Sequence, residues 1–175
     1  MLSNRAARLC AGALLAAVLA LQPGATAARL GPSGLQVPRY VSVKAQPANA
    51  RQGPSFQHPV LWQYLRAGMP LRITAESANW RRIEDFEGAT AWMHVSMLSS
   101  APTVLVTDAR LAVRAQPNAE AAPRFFAQRG VVLELSGCRG AWRKVRARNR
   151  IGWAPASGIW GAGGCTAAGA STRTS

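Results

Sequence analysis

The tetrapeptide Trp80-Arg81-Arg82-Ile83 returns as Trp142-Arg143-Lys144-Val145, and its surroundings return with it. A glycine, Gly68 or Gly130, stands twelve residues before the tryptophan in each copy, and a second tryptophan follows twelve residues later at Trp92 and eleven later at Trp153. Upstream, "NARQGP" (49–54) faces "AVRAQP" (112–117). Spacing that persists while the filler residues change is the mark of duplicated structure. Two copies are too few to stack as a solenoid, which needs three or more, so each copy must close a core on itself.

Within each copy the pattern is of short strands punctuated by turn residues, at the spacing of an all-β unit. The first copy offers "YVSVKA", "PVLWQYL", "LRITAES", "WRRIED" and "TAWMHV", with breaks at Gln52-Gly53-Pro54, Ala67-Gly68 and Glu87-Gly88. The second offers "TVLVT", "LAVRA", "RFFAQ", "VVLELS", "WRKVRA" and "GWAPA". Beyond the N-terminus no window sustains a helical period. The expected fold is all-β, two small barrels in tandem, because closure removes edges that short strands would otherwise expose.

Residues 1–27 read as an export signal: Arg5 and Arg8 precede the apolar run "LCAGALLAAVLAL", which Pro23-Gly24 breaks before the small-residue site Ala25-Thr26-Ala27. The run is short for a membrane-spanning helix, and a retained anchor is the competing reading. The expected division is a signal at 1–27, a linker at 28–39, repeats at 40–100 and 101–160, and a disordered tail at 161–175. Cleavage would remove Arg5 and Arg8 and leave +12 of the formal net charge of +14. Such a surface attracts anions. In an exported protein, periplasmic or secreted, these are cell-wall carboxylates and phosphates or an anionic membrane surface, and nucleic acid is not expected.

The order "NARQGPSFQHPVLWQYLRAGMPLRI", "NWRRI", "TAWMHVSML", recurring as "LAVRAQP", "GAWRKV" and "RIGWAPASGI", resembles the bacterial SH3-like domains of exported proteins. The resemblance implies tandem SH3-like barrels that hold a cell-wall (peptidoglycan) peptide or polymer. It also places the strand-opening tryptophan, and the position of His94 or Pro155, at the border of a ligand groove. Met97 and Gly158 stand where signalling members carry a groove tyrosine, so proline-rich recognition is not implied.

Alternation along the strands divides the faces. Ile83, Met93 and Val95, like Val145, Ala154 and Ala156, form the apolar set expected inside. Trp80, Arg82, Trp92 and His94 share the other face of the first copy, and Trp142, Lys144, Trp153 and Pro155 that of the second. These eight are the candidate ligand-binding residues. The alternative for the tryptophans is packing, over a thin barrel or between the units. Trp62, Tyr64 and Phe126 are assigned to cores and Trp160 to terminal packing.

The inventory for catalysis is thin. His58 and His94 fall in no metal-ligand spacing, Glu84, Asp85 and Glu87 crowd one turn as a solvated cluster, and neither a nucleophile elbow nor a phosphate-binding glycine loop is present. The expectation is a non-enzyme without metal or cofactor. Cys138 and Cys165 are the pair available for one disulfide, the alternative being a free thiol in the tail. Beside wall binding stands a second reading, an envelope scaffold whose aromatic faces dock a protein partner.

Overall fold

The computed structural model describes residues 28–44, 46–162 and 165. The expected signal (1–27) and most of the expected tail lie outside them. Among the described residues no helix is long and apolar enough to cross a membrane.

The chain runs β1 (Arg29–Leu30), β2 (Gln36–Val37), β3 (Arg39–Val43), β4 (Ala48–Arg51), β5 (Val60–Tyr64), β6 (Pro70–Ser77), β7 (Trp80–Glu84), β8 (Thr90–His94), a 3-10 turn (Val95–Met97) and β9 (Leu98–Ser99). The second repeat follows as β10 (Thr103–Val106), β11 (Arg110–Arg114), β12 (Pro123–Gln128), β13 (Val132–Arg139), β14 (Trp142–Ala147), β15 (Arg150–Pro155), a 3-10 turn (Ala156–Gly158) and β16 (Ile159–Trp160). Each repeat forms one seven-stranded sheet, in the orders β5-β4-β8-β7-β6-β3-β9 and β12-β11-β15-β14-β13-β10-β16. Read strand for strand, the two orders are the same. Even the irregularities coincide: the register shifts at Ala50/Arg51 and Val113/Arg114, and again at Ile73/Ala75 and Leu135/Gly137. Such bulges bend a strand, which lets a small sheet wrap its own core.

The sheets do not close into the expected barrels. β5 and β12 are left as edges at one end, and the two-residue β9 and β16 at the other. Side chains do the closing instead. Leu71, Ile83 and Met93 fill the first core with Val43, and Leu111, Val113, Leu133 and Val145 fill the second. Each large side chain so buried contributes about 1.5–3 kcal/mol.

Alternation predicted most of this. Ile83, Met93, Val145 and Ala154 are fully buried, as expected. Val95 is not, because β8 ends at His94 and the 3-10 turn breaks the two-residue period. Phe126, expected in the core, is 49% exposed: Phe125 takes the inward position of β12, and the Arg110 guanidinium lies 3.9 Å from the Phe126 ring centroid. Trp62 and Tyr64 are partly buried against the first core.

Residues 28–39 were expected to be a linker, yet β1 and β2 pair there as an antiparallel hairpin. The buried carboxylate of Glu76 on β6 holds it. Its oxygens accept from the Ser33 N–H (2.9 Å), the Ser33 hydroxyl (2.8 Å) and Arg39 Nη2 (2.6 Å), and Arg81 Nε lies 3.2 Å away. Burial pushes the carboxyl's pKa up, but the hydrogen bonds from Ser33 and Arg39 and the charge of Arg39 outweigh it and hold it at about 2.

The tail expected from 161 onward is partly built. Gly161 and Ala162 pack, and Cys165 lies against the second core in a disulfide with Cys138.

The repeats meet along a seam. Thr103 Oγ1 donates to the Gly68 carbonyl and Arg66 Nη1 to the Gly130 carbonyl, each at 2.7 Å. Trp160 meets Tyr40 edge-on, with centroids 5.1 Å apart. Gly161 passes so close that a Cβ there would lie 2.7 Å from Pro70, and its φ of +101° is one that side chains rarely adopt.

Candidate ligand-binding site

β7 and β8 pair with Trp80 opposite His94 and Arg82 opposite Trp92. β14 and β15 pair with Trp142 opposite Pro155 and Lys144 opposite Trp153. Directly opposed residues of an antiparallel pair point to the same side. The structure therefore brings the four candidates of each repeat onto one face, with Arg51 on β4 opposite Trp92 and Arg114 on β11 opposite Trp153.

Sharing a face does not make a tryptophan an open platform. Trp80 is only 7% exposed. What covers it is Phe56, itself 63% exposed, from the loop between β4 and β5, with ring centroids 5.0 Å apart at 68°. His94 completes the cluster, 5.3 Å from Trp80 and 5.2 Å from Phe56. With Arg51 and Met97 these rings line a small pocket of about 60 Å³. Trp92 is half-buried and Arg82 exposed beside it.

The loop that presents Phe56 is held from within. Arg51 Nη1 donates to the carbonyls of Phe56 (3.1 Å) and His58 (2.8 Å), Gln52 N–H donates to the Pro59 carbonyl (3.0 Å), and Ser55 Oγ lies 2.8 Å from His58 Nδ1. The Arg51 guanidinium also lies 5.8 Å from the Phe56 centroid, within cation–π reach. His94 is oriented in turn: Nδ1 accepts from the Ser96 N–H (3.4 Å) and sits 2.7 Å from Ser96 Oγ. With Nδ1 accepting, the ring proton of the neutral imidazole resides on Nε2, where it is a donor.

The second repeat keeps the scaffold and loses the cluster. Arg114 Nη1 donates to the Ala121 carbonyl (2.7 Å) and Ala115 N–H to the Ala122 carbonyl (3.0 Å), the same loop bonds as those of Arg51 and Gln52. That correspondence puts Ala119 where Phe56 stands, Pro155 where His94 stands and Gly158 where Met97 stands. Trp142 is consequently more open than Trp80, and among the described residues no aromatic ring stacks on it. Residue alternation could not find Phe56, because loops carry no period. The signal available was local, a lone aromatic in "GPSFQHP" with no counterpart in the other copy.

A family model for the bacterial SH3 domain matches the chain twice, over residues 44–100 and 107–161. No curated relative matches it in sequence. Among solved structures, NlpC2 from Trichomonas vaginalis is similar at a TM-score of 0.33 and 8% identity, over 72% of this chain and 49% of that one. NlpC1 from the same organism is similar at 0.33 and 8%, over 71% and 46%. This chain thus spans about half the length of either. Two matches in tandem, over most of the described residues and in step with the duplicated strand order, settle the family: the chain belongs to the bacterial SH3 domain family.

Proposed function

We propose that the protein is an exported, non-catalytic binding module that holds a peptide segment of the cell wall, and that the first repeat makes the contact. The observation that carries this reading is the Phe56–Trp80–His94 cluster, an aromatic pocket with one imidazole donor and one cation, Arg51, in its lining, and with Arg82 on the same face opposite Trp92. A short chain bearing small apolar groups and carboxylates, as stem peptides do, suits that chemistry: rings give flat contact area, and guanidinium groups take carboxylates in bidentate fashion. Bacterial SH3 domains commonly bind cell-wall polymers, which supports the same ligand class. The Cys138–Cys165 disulfide supports an oxidising compartment outside the cytoplasm.

The test is co-sedimentation of the protein lacking residues 1–27 with purified sacculi, at low and at physiological salt. Binding should persist at physiological salt, and Phe56→Ala should weaken it by about tenfold, the scale of losing one aromatic contact. Phe56 is itself exposed but covers Trp80, so the melting temperature should fall by only a few degrees and the fold should survive. Lys144→Ala in the second repeat should leave binding unchanged. Undiminished binding by a folded Phe56→Ala, His94→Ala double variant would sink the proposal, and association seen only at low salt would reduce it to net charge.

A further inference from the structure

Away from the aromatic pocket, the seam between the repeats opens into a cleft of about 1060 Å³. Its walls come from the end of β3, the β5–β6 loop, the segment joining the repeats, the start of β13, and the β14–β15 hairpin. Lys44, Arg66, Arg146 and Arg148 line it against a single carboxylate, Glu134. Only Arg146 approaches that carboxylate, at 3.9 Å across an exposed edge, and the other three cations pair with no acidic side chain among the described residues. Like charges converging on a concavity reinforce one another's potential, and the low-dielectric walls focus it.

The hairpin adds a second, independent observation. Ala147 pairs with Arg150, leaving Arg148 and Asn149 as a two-residue turn, and Arg148 has φ +53°. That left-handed conformation suits glycine or asparagine and penalises a long side chain, so an arginine there gives up stability while holding a cation at the cleft mouth. Local strain kept at a charged concavity points to use of the charge. The walls are also fixed in advance: Arg66 and Thr103 bond across the seam, so little ordering is left for a ligand to drive.

We propose that this inter-repeat cleft is a second binding site, distinct from the aromatic pocket, for a linear polyanion carrying phosphate or carboxylate groups in series. Guanidinium forks accept either oxyanion, and the tests separate the two sources. Titration calorimetry at physiological salt would use two probes, inorganic tripolyphosphate and a peptide of consecutive glutamates, on the protein lacking residues 1–27. At least one should bind, and the tighter of the two names the source.

A cleft variant, Lys44→Gln with Arg146→Gln and Arg148→Asn, should weaken that binding by about tenfold, a few tenths of a decade for each exposed charge contact. A control of identical net charge, Arg29→Gln with Arg124→Gln and Arg139→Gln, should change it by less than about twofold. Arg148→Asn alone should weaken binding while raising the melting temperature, a combination that a purely structural role for the arginine would not produce. Phe56→Ala should leave polyanion binding intact, so failure of the aromatic pocket and failure of the cleft are read separately. Equal losses in the cleft and control variants would overturn the proposal in favour of overall charge. Absence of binding by both probes would overturn it outright.

Discussion

Replacing both cysteines, Cys138→Ser with Cys165→Ser, should destabilise the second repeat by about 3–4 kcal/mol. The bridge spans 27 residues of sequence, which include β14, β15 and β16, three of the seven strands of that sheet. Opening a loop of that length restores conformational freedom to the unfolded chain, and the closure-entropy relation gives the figure quoted. Cys165 also packs against the second core, so cutting the tether loosens that contact as well. Urea denaturation followed by tryptophan fluorescence measures it. The midpoint should fall by about 1–2 M, given the slope usual for small domains. A shift under about 0.3 M would show that the seam and the core already hold the C-terminal segment.

Glu76→Gln should cost about 3 kcal/mol at neutral pH. The carboxylate is fully buried and serves Ser33, Arg39 and Arg81 at once, and Arg81 is itself nearly buried. Removing one member of such a group leaves buried charge uncompensated, the expensive way to break an ion pair. The pKa leads to a similar magnitude: a carboxyl lowered from 4.5 to about 2 is worth roughly 3 kcal/mol of linkage. Because the folded value is depressed, the contribution is complete above about pH 4.5 and is lost as pH falls from there towards 2. The difference in unfolding free energy between wild type and Glu76→Gln should therefore be largest near neutrality and vanish near pH 2. A difference constant across that window would mean that the carboxylate's charge is not what holds the β1–β2 hairpin.

Much of the architecture was legible because it was written twice. Comparing the copies exposed the duplication that the family model also matches twice, and alternation grouped Trp80 with Arg82, Trp92 and His94, and Trp142 with Lys144, Trp153 and Pro155, as the strand pairing does. Strand β4 escaped notice: Ala48-Asn49-Ala50-Arg51 carries no β-branched or aromatic residue, although its counterpart "LAVRA" does. The β1–β2 hairpin escaped for a different reason. Ser33 and Glu76 are 43 residues apart, and no local pattern announces a contact of that range. Open sheets replaced the expected barrels because β9 and β16 are only two residues long and, among the described residues, the outer edges of β5 and β12 take no partner. The sequence left Trp80 open between groove and packing, and could not decide it because its burial depends on where one loop phenylalanine comes to rest.

The seam between the repeats alters how two weak sites on one chain can cooperate. Modules on a flexible tether search for a second foothold, with a strength set by tether length. Here Thr103, Arg66, Tyr40–Trp160 and Gly161 weld the modules together. If both proposed sites bind, the molecule would act as a ruler: a ligand whose groups matched the fixed distance from the Phe56 pocket to the Arg148 turn would gain both contacts at almost no further entropic cost. One whose spacing differed would gain only the first.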